Sequence, residues 1–222
     1  MDFSPVRISL RTTVCASLIV YVLGVLFAWL VLKIRNRTVR RLADGILTVP
    51  LVLPPTVAGF ILLLVFGNNR PFGQLLQHVF GLKVVFTWGA AVIAAVVVSF
   101  PLMYRSAKAG FEQINQSMID EAKMLGLGNF GILRKILIPC TRPAIVSGVI
   151  LSTTRGLGEF GATSMLAGNI AGKTRTLPLA IYSEVAAGNY DTAGVYVSVI
   201  LLVAFAAVYI MNVFADQSEI RL

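Results

Sequence analysis

The spacing of its charges is what most constrains this chain. Between consecutive charged residues lie four long uncharged runs: Thr12 to Leu32 (21 residues), Gly45 to Asn69 (25), Val84 to Tyr104 (21) and Thr192 to Ala215 (24). At 1.5 Å per residue, about 20 residues cross a hydrocarbon core of roughly 30 Å, so each run is long enough to span a bilayer as a helix. A fifth apolar run, Pro143 to Leu166, has the same reach but carries Arg155 and Glu159. These two sit four residues apart on one helix face, and charges inside a membrane are tolerated chiefly when paired or hydrated. Only 13% of the residues are charged and 57% are hydrophobic, against about 25% charged in a soluble domain. A soluble globular domain and a disordered chain are both excluded. The expected fold is all-α, a single polytopic membrane domain over residues 1–222, with spans at about 12–32, 45–67, 84–104, 143–166 and 192–215.

The first run is not read as a secretory signal. Its apolar part exceeds the usual 7–15 residues, and Leu32 is followed by Lys33-Ile34-Arg35 rather than by a small-residue cleavage site. Two distant cysteines, Cys15 and Cys140, suggest no disulfide framework. The net charge of +9 then reads as topology and not as nucleic-acid affinity. Twelve cations fall on one side, within residues 33–41, within 105–142 and at Arg221; the other side holds six, Arg7, Arg11, Arg70, Lys83, Lys173 and Arg175. Cytoplasmic loops are the Lys/Arg-rich ones, so the N-terminus is expected outside, the C-terminus inside, and residues 68–83 and 169–191 in external loops. Pro50, Pro54 and Pro55 remove backbone donors and should bend or break the second span, as a fixed kink or as a moving hinge.

Between the third and fourth spans lies the longest polar segment, residues 105–142. From Phe111 to Leu125 the apolar residues Phe111, Ile114, Met118, Ile119, Ala122 and Leu125 recur at helical spacing, and Gly126 follows where a C-terminal cap glycine belongs. A second helical stretch, Phe130 to Ile138, is expected to stop at Pro139. Within this loop Asp120-Glu121-Ala122, three residues, Gly126, nine residues and Ile136-Leu137-Ile138-Pro139 resemble the EAA loop of ABC-importer permeases. The departures are Asp120 for Glu, Glu121 for Ala and Ile138 for Leu.

A further stretch, Arg155-Gly-Leu-Gly-Glu-Phe-Gly-Ala-Thr163 followed by Ala167 to Tyr182, together with Leu51 to Gly59, is similar to the molybdate ABC-transporter permeases. Ala171 stands where that family has proline, and Gly156 where serine or alanine is common. The resemblance implies an inner-membrane permease subunit that binds no cofactor and catalyses no covalent step. ATP and Mg belong to two ABC ATPase subunits on the cytoplasmic face, which grip the helix from Gln116 to Gly126. A periplasmic binding protein delivers molybdate, and alternating access moves it across. Tungstate or sulfate is the competing cargo within the class; an ATP-independent channel or secondary transporter, and a non-transporting scaffold, are the rivals outside it. Because five helices make a thin wall for a gated path and closed two-fold assemblies are the commonest oligomers, a homodimer is expected.

Arg155 and Glu159 admit two readings, a structural ion pair or donors on the anion's path, and Thr163, Pro54 and Pro55 are further path candidates. Lys173 and Arg175 are candidates for docking the delivery protein or attracting the oxyanion, the alternative being solvated loop cations. Ala167 to Thr174 fits the permissive phosphate-loop pattern but lacks a preceding buried strand and an acidic magnesium partner, so nucleotide binding is not expected there. His78 is the only histidine, which leaves no metal cluster and no base for a serine hydrolase.

Overall fold

The computed structural model describes residues 2–219, and every regular element among them is helical. Three helices are long and apolar enough to cross a membrane: α1 (Ser4–Leu32), α5 (Trp88–Glu112) and α12 (Tyr190–Glu219). Two bent pairs share the same character. The first joins α2 (Arg37–Val52) to α3 (Pro55–Phe66) at 113°, and the second joins the segment Asn129–Cys140 to α9 (Arg142–Leu157) at 80°. Counting each pair once gives five spans.

Helix α5 is the axis of the bundle, with α1, α2, α9 and the short α10 (Gly161–Leu166) packed around it. Buried alanines at positions 90, 91, 94 and 95 explain why: where lipid removes the hydrophobic drive between helices, small residues let backbones approach and dispersion hold them. A hydroxyl pair, Ser17 and Thr153 at 2.8 Å, ties α1 to α9 across the same region. Helix α12 packs chiefly against α9 and α11 (Leu177–Ala186), with the Tyr196 hydroxyl also donating to the Asp2 carbonyl at 2.6 Å, and 6% of its apolar window is buried against 61% for α5. Such a helix faces lipid or another chain.

Several boundaries differ from the sequence expectation for identifiable reasons. Helix α1 starts eight residues before Thr12, so Arg7 and Arg11 are helical residues and not loop cations. The break in the second span lies at Leu53–Pro54, not at Pro50, which stays inside α2. Each residue before a proline is pushed out of the helical region, so Leu53 and Pro54, with ψ of 138° and 135°, are extended in succession. The stripe from Phe111 to Leu125 is two helices, because α5 runs on to Glu112 and Asn115 caps a new one, α6 (Gln116–Met124).

Pro139 does not end the next stretch. The chain passes through α7 (Asn129–Ile132), a π-helical turn (Leu133–Leu137) and α8 (Ile138–Cys140), and the sharp bend falls at Thr141. The fifth run is not one helix, since α9 stops at Leu157 and α10 starts at Gly161. Both segments expected to be external contain helices, α4 (Pro71–Phe80) and α11, each opened by a proline in its first turn. Arg221, counted with the cytoplasmic cations, lies outside the described residues.

Candidate functional site

The break at Leu53–Pro54 and the interruption between α9 and α10 meet. Gly59 of α3 lies so close to α10 that a side-chain carbon there would come within 2.7 Å of the Ala162 Cα, and one at Gly161 within 2.9 Å of the Pro55 Cβ. The start of α3 and the start of α10 are therefore in backbone contact, with Pro55 and Gly161 at the seam. Thr163 is buried one turn into α10, Pro55 is half-buried, and Pro54 is exposed at the break.

Arg155 and Glu159 sit beside this seam. An Arg155 N–H donates to Glu159 Oε2 at 2.8 Å, and the Ala162 backbone N–H donates to Glu159 Oε1 at 2.7 Å. The carboxylate is thus the cap that restarts the helix after the Gly158–Phe160 gap, as well as the partner of Arg155. The Glu159 side chain is 1% exposed and that of Arg155 33%. A carboxylate so deep is tolerable because both oxygens are engaged. The geometry favours the structural reading for Glu159 and leaves Arg155 one-third exposed, with only its Nη1 bonded among the described residues.

A second site lies at the end of the bundle where α5 leads into α6. Asp120 and Glu121 are exposed on α6, whereas Ala122 is buried in the core cluster that joins α1, α5 and the 129–140 segment. The tripeptide therefore has two outward acids and one inward alanine, which anchors the helix to its own bundle. Asp120 accepts from Lys123 Nζ at 2.9 Å and from Gln116 Nε2 at 3.1 Å, and these bonds hold its carboxyl below the usual carboxylate range. Gly126 adopts a φ of +82°, its N–H donates to the Lys123 carbonyl and the Leu127 N–H to the Ala122 carbonyl, the two bonds of a Schellman stop. That fixes why a glycine stands there.

Ile136 and Ile138 pack against the same core cluster and Pro139 is exposed. The second half of the loop pattern is foundation and not contact surface. Only part of the apolar stripe is available to a partner that grips this helix: Ile114, Ile119 and Ala122 face the bundle, while Met118 and Leu125 of the stripe, with Met124 and Phe130 beside it, face outward, Met124 and Leu125 each 81% exposed. Met124 and Phe130 escaped the sequence reading because neither lies on the periodic stripe. Two methionines beside a glycine stop were the available signal. At the root of this site Arg40 of α2 pairs with Glu112, the last residue of α5, and Lys108 and the Tyr104 hydroxyl both bond Asp44 of α2. This charged cluster clamps the first bent pair to the helix that leads into α6.

The third group of expected residues is on the segment between α10 and α11. Lys173 is exposed, with no ion pair among the described residues. Arg175 is half-buried and its Nε donates to Asn169 Oδ1 at 2.9 Å, so it also ties its own loop together. The phosphate-loop lookalike is disarmed by its own threonine. Thr174 is fully buried, accepts from the Ile170 N–H at 3.0 Å and donates to the Gly168 carbonyl, leaving no hydroxyl for a magnesium ion.

Comparison with known proteins bears on the family and the fold. Residues 20–221 match the family described as binding-protein-dependent transport system inner membrane component. YvgM of Bacillus subtilis, provisionally named a molybdenum transport system permease protein, is 41% identical over 211 residues, which is 95% of this chain and 92% of that one. The molybdenum transport system permease protein ModB of Escherichia coli is 38% identical over 82% of this chain and 79% of its own length. The sulfate transport system permease protein CysT of Salmonella typhimurium is 34% identical over 93% of this chain and 74% of its own. In fold, the chain is similar to a subunit of a bacterial ABC transporter that imports the polysaccharide alginate (TM-score 0.74, 13% identity, 98% of this chain and 78% of that one). It is similar also to a subunit of the MetNI methionine ABC transporter (TM-score 0.68, 17% identity, 95% and 94%).

Proposed function

The chain belongs to the binding-protein-dependent transport system inner membrane components, and on that premise we propose that it is the molybdate-conducting half of an ATP-driven importer. The observation that carries the ATP-driven part is α6, a capped helix at the end of the central helix that presents Met118, Met124 and Leu125 to solvent. An apolar face of that size on a polar loop is an anchor for a groove on another protein, and burying each such side chain yields roughly 1.5–3 kcal/mol. Two ATPase subunits on the cytoplasmic face supply the grooves, with ATP and Mg held there and none on this chain. A second copy of the chain completes the path, and a periplasmic molybdate-binding protein delivers the anion to the external face, where Lys173 is free to meet it. This orientation puts the N-terminus outside and the C-terminus inside.

The mechanism follows from the connectivity. Closure of the ATPases on nucleotide pulls both α6 helices; α6 joins α5 through three residues, and the Arg40–Glu112 and Asp44–Lys108 pairs pass the displacement to α2. Because α2 ends at the extended Leu53–Pro54 link, its movement is taken up at that link and at the seam with α10, so access to the path alternates. Nucleotide acts only through its different affinities for the two states. Arg155, held beside the seam by Glu159, turns free N–H groups toward a divalent oxyanion, whose charge and acceptors suit a guanidinium fork.

YvgM and the Escherichia coli ModB are more similar to this chain than the Salmonella CysT is, which is why molybdate is preferred as cargo. The test is uptake of labelled molybdate by cells lacking their own high-affinity system and supplied with this chain, its ATPase and its binding protein. Nucleotide-dependent uptake is expected, with a loss of more than tenfold on Met124→Asp with Leu125→Asp at unchanged membrane levels. Uptake of sulfate or tungstate without molybdate overturns the cargo; flux without the ATPase overturns the class.

A further inference from the structure

The N-terminal half of α1 carries a feature that the transport reading does not use. Leu10, Val14 and Leu18 recur every fourth residue along one face of α1, and they are 49%, 60% and 64% exposed. With Trp88 at the start of α5 they line an open, almost wholly apolar groove of about 780 Å³. Arg7 and Arg11 edge the same groove one turn apart. The Arg11 guanidinium lies 4.2 Å over the Trp88 ring, and the indole N–H is itself fixed by a 2.9 Å bond to Thr12 Oγ1. Stacking on the ring occupies the guanidinium's face and leaves its N–H donors pointing outward in their plane. Neither arginine has a carboxylate partner among the described residues.

Depth decides what fits. The uncharged run of α1 begins at Thr12, so Arg11 stands at the edge of the hydrocarbon and Arg7 a turn above it, at the level of the headgroups. From Arg7 to Leu18 is about 16 Å along a helix, close to one leaflet of a roughly 30 Å core. A groove with two cations at its polar end, an indole at the boundary and one leaflet of apolar wall below matches one molecule class in charge and length. We propose that this groove holds an anionic phospholipid, its phosphate on Arg7 and Arg11 and one acyl chain along Leu10, Val14 and Leu18. The site is independent of the cargo and holds whichever leaflet the N-terminal end of α1 occupies.

The test uses the two-tryptophan composition of the chain. With Trp29→Phe, Trp88 becomes the sole tryptophan of this chain, and the complex is placed in bilayers of phosphatidylcholine in which brominated phosphatidylglycerol or brominated phosphatidylcholine of the same chain length is titrated, so that acyl-chain bromine quenches tryptophan within the bilayer and not in the partner subunits outside it. Trp88 should be quenched at about tenfold lower mole fraction of the anionic lipid, and Arg7→Gln with Arg11→Gln should remove that preference. Arg11→Lys, which keeps the charge and the fold of the helix, should retain part of it. Equal quenching by both lipids overturns the site and leaves ordinary bilayer contact. Absence of quenching by either also overturns it, and would mean that a second protein chain covers the groove, which cross-linking between copies through Cys15 reads directly.

Discussion

The bundle contains two broken helices whose breaks touch, and they are broken by different means. The Leu53–Pro54 break is covalent: two consecutive prolines force two consecutive residues out of the helical region, and no neighbour is needed to do it. The Gly158–Phe160 break is tertiary. Nothing in the backbone forbids helix there, and the interruption persists because Glu159 is drawn inward to hold Arg155 and the Ala162 N–H together. A covalent break survives the loss of its surroundings; a tertiary one survives only as long as its hydrogen bonds. The lesson is that a hinge in a membrane helix can be robust on one side of a seam and conditional on the other.

The sharpest way to break the contrast is Glu159→Ala, which should lower uptake more than tenfold and reduce the assembled complex, because it strands the Ala162 N–H in the bundle. Exchanging the charges, Arg155→Glu with Glu159→Arg, should not restore transport, since an arginine at 159 cannot accept from that N–H. Recovery in the swap, measured as uptake per assembled complex, would reduce Glu159 to an ion-pair partner. Glu159→Gln keeps one acceptor and should fall between wild type and alanine.

Next in size is the seam itself. Gly59→Ala puts a methyl 2.7 Å from the Ala162 backbone, which cannot move aside cheaply, and overpacking of this kind costs about 1–3 kcal/mol. A fall in Tm of about 5 °C is expected for a chain of this size, with transport reduced alongside. An unchanged Tm would show that the two helix starts separate at little cost.

Smaller still is Pro54→Ala. Pro55 continues to hold residue 54 extended, so the single change should cost under about 1 kcal/mol. Only Pro54→Ala with Pro55→Ala together should allow α2 and α3 to straighten, which spin-label distances between the two helices would register. Straightening in the single variant would assign the break to Pro54 alone, and a bend that persists in the double variant would place its cause outside the proline pair.

The least effect is expected away from both breaks, at Asp120. Its folded-state pKa is depressed by the Lys123 and Gln116 bonds, so its contribution is full above the ordinary carboxylate range and is lost only as the pH falls through the lowered value. Uptake between pH 6 and 8 should therefore be insensitive to it, and Asp120→Asn should change uptake less than about twofold, as for other exposed pairs.

The same contrast explains what could be read from the sequence. The proline break was legible, because proline acts through its own covalent geometry, and only its position within the Pro50–Pro55 stretch needed the structure. The second break was not, because a glutamate four residues from an arginine in an apolar run looks the same whether the helix continues through it or stops. The spans were legible from uncharged length, but α1 begins earlier than its charges suggested, since arginines at a helix end keep their heads in water while their stems stay helical. The loop pattern predicted a cytoplasmic helix and its glycine stop. It gave the direction of each side chain less well, because Ala122, Ile136 and Ile138 are turned inward by the core that α1 and α5 build beneath them. Helices α4 and α11 were hidden in segments read as loops, although each opens with a proline in its first turn.

Helix α10 has six residues, about 9 Å, less than a third of the hydrocarbon thickness. An insertion machinery that judges segments by length and apolarity cannot commit it to the bilayer on its own account. It enters only by settling against α3 through Gly59 and Ala162, with the Glu159 carboxylate already paired. The piece that closes the seam is therefore placed by its packing on α3 and α5 and by the Glu159 carboxylate at its first turn, as a folding event and not as an insertion.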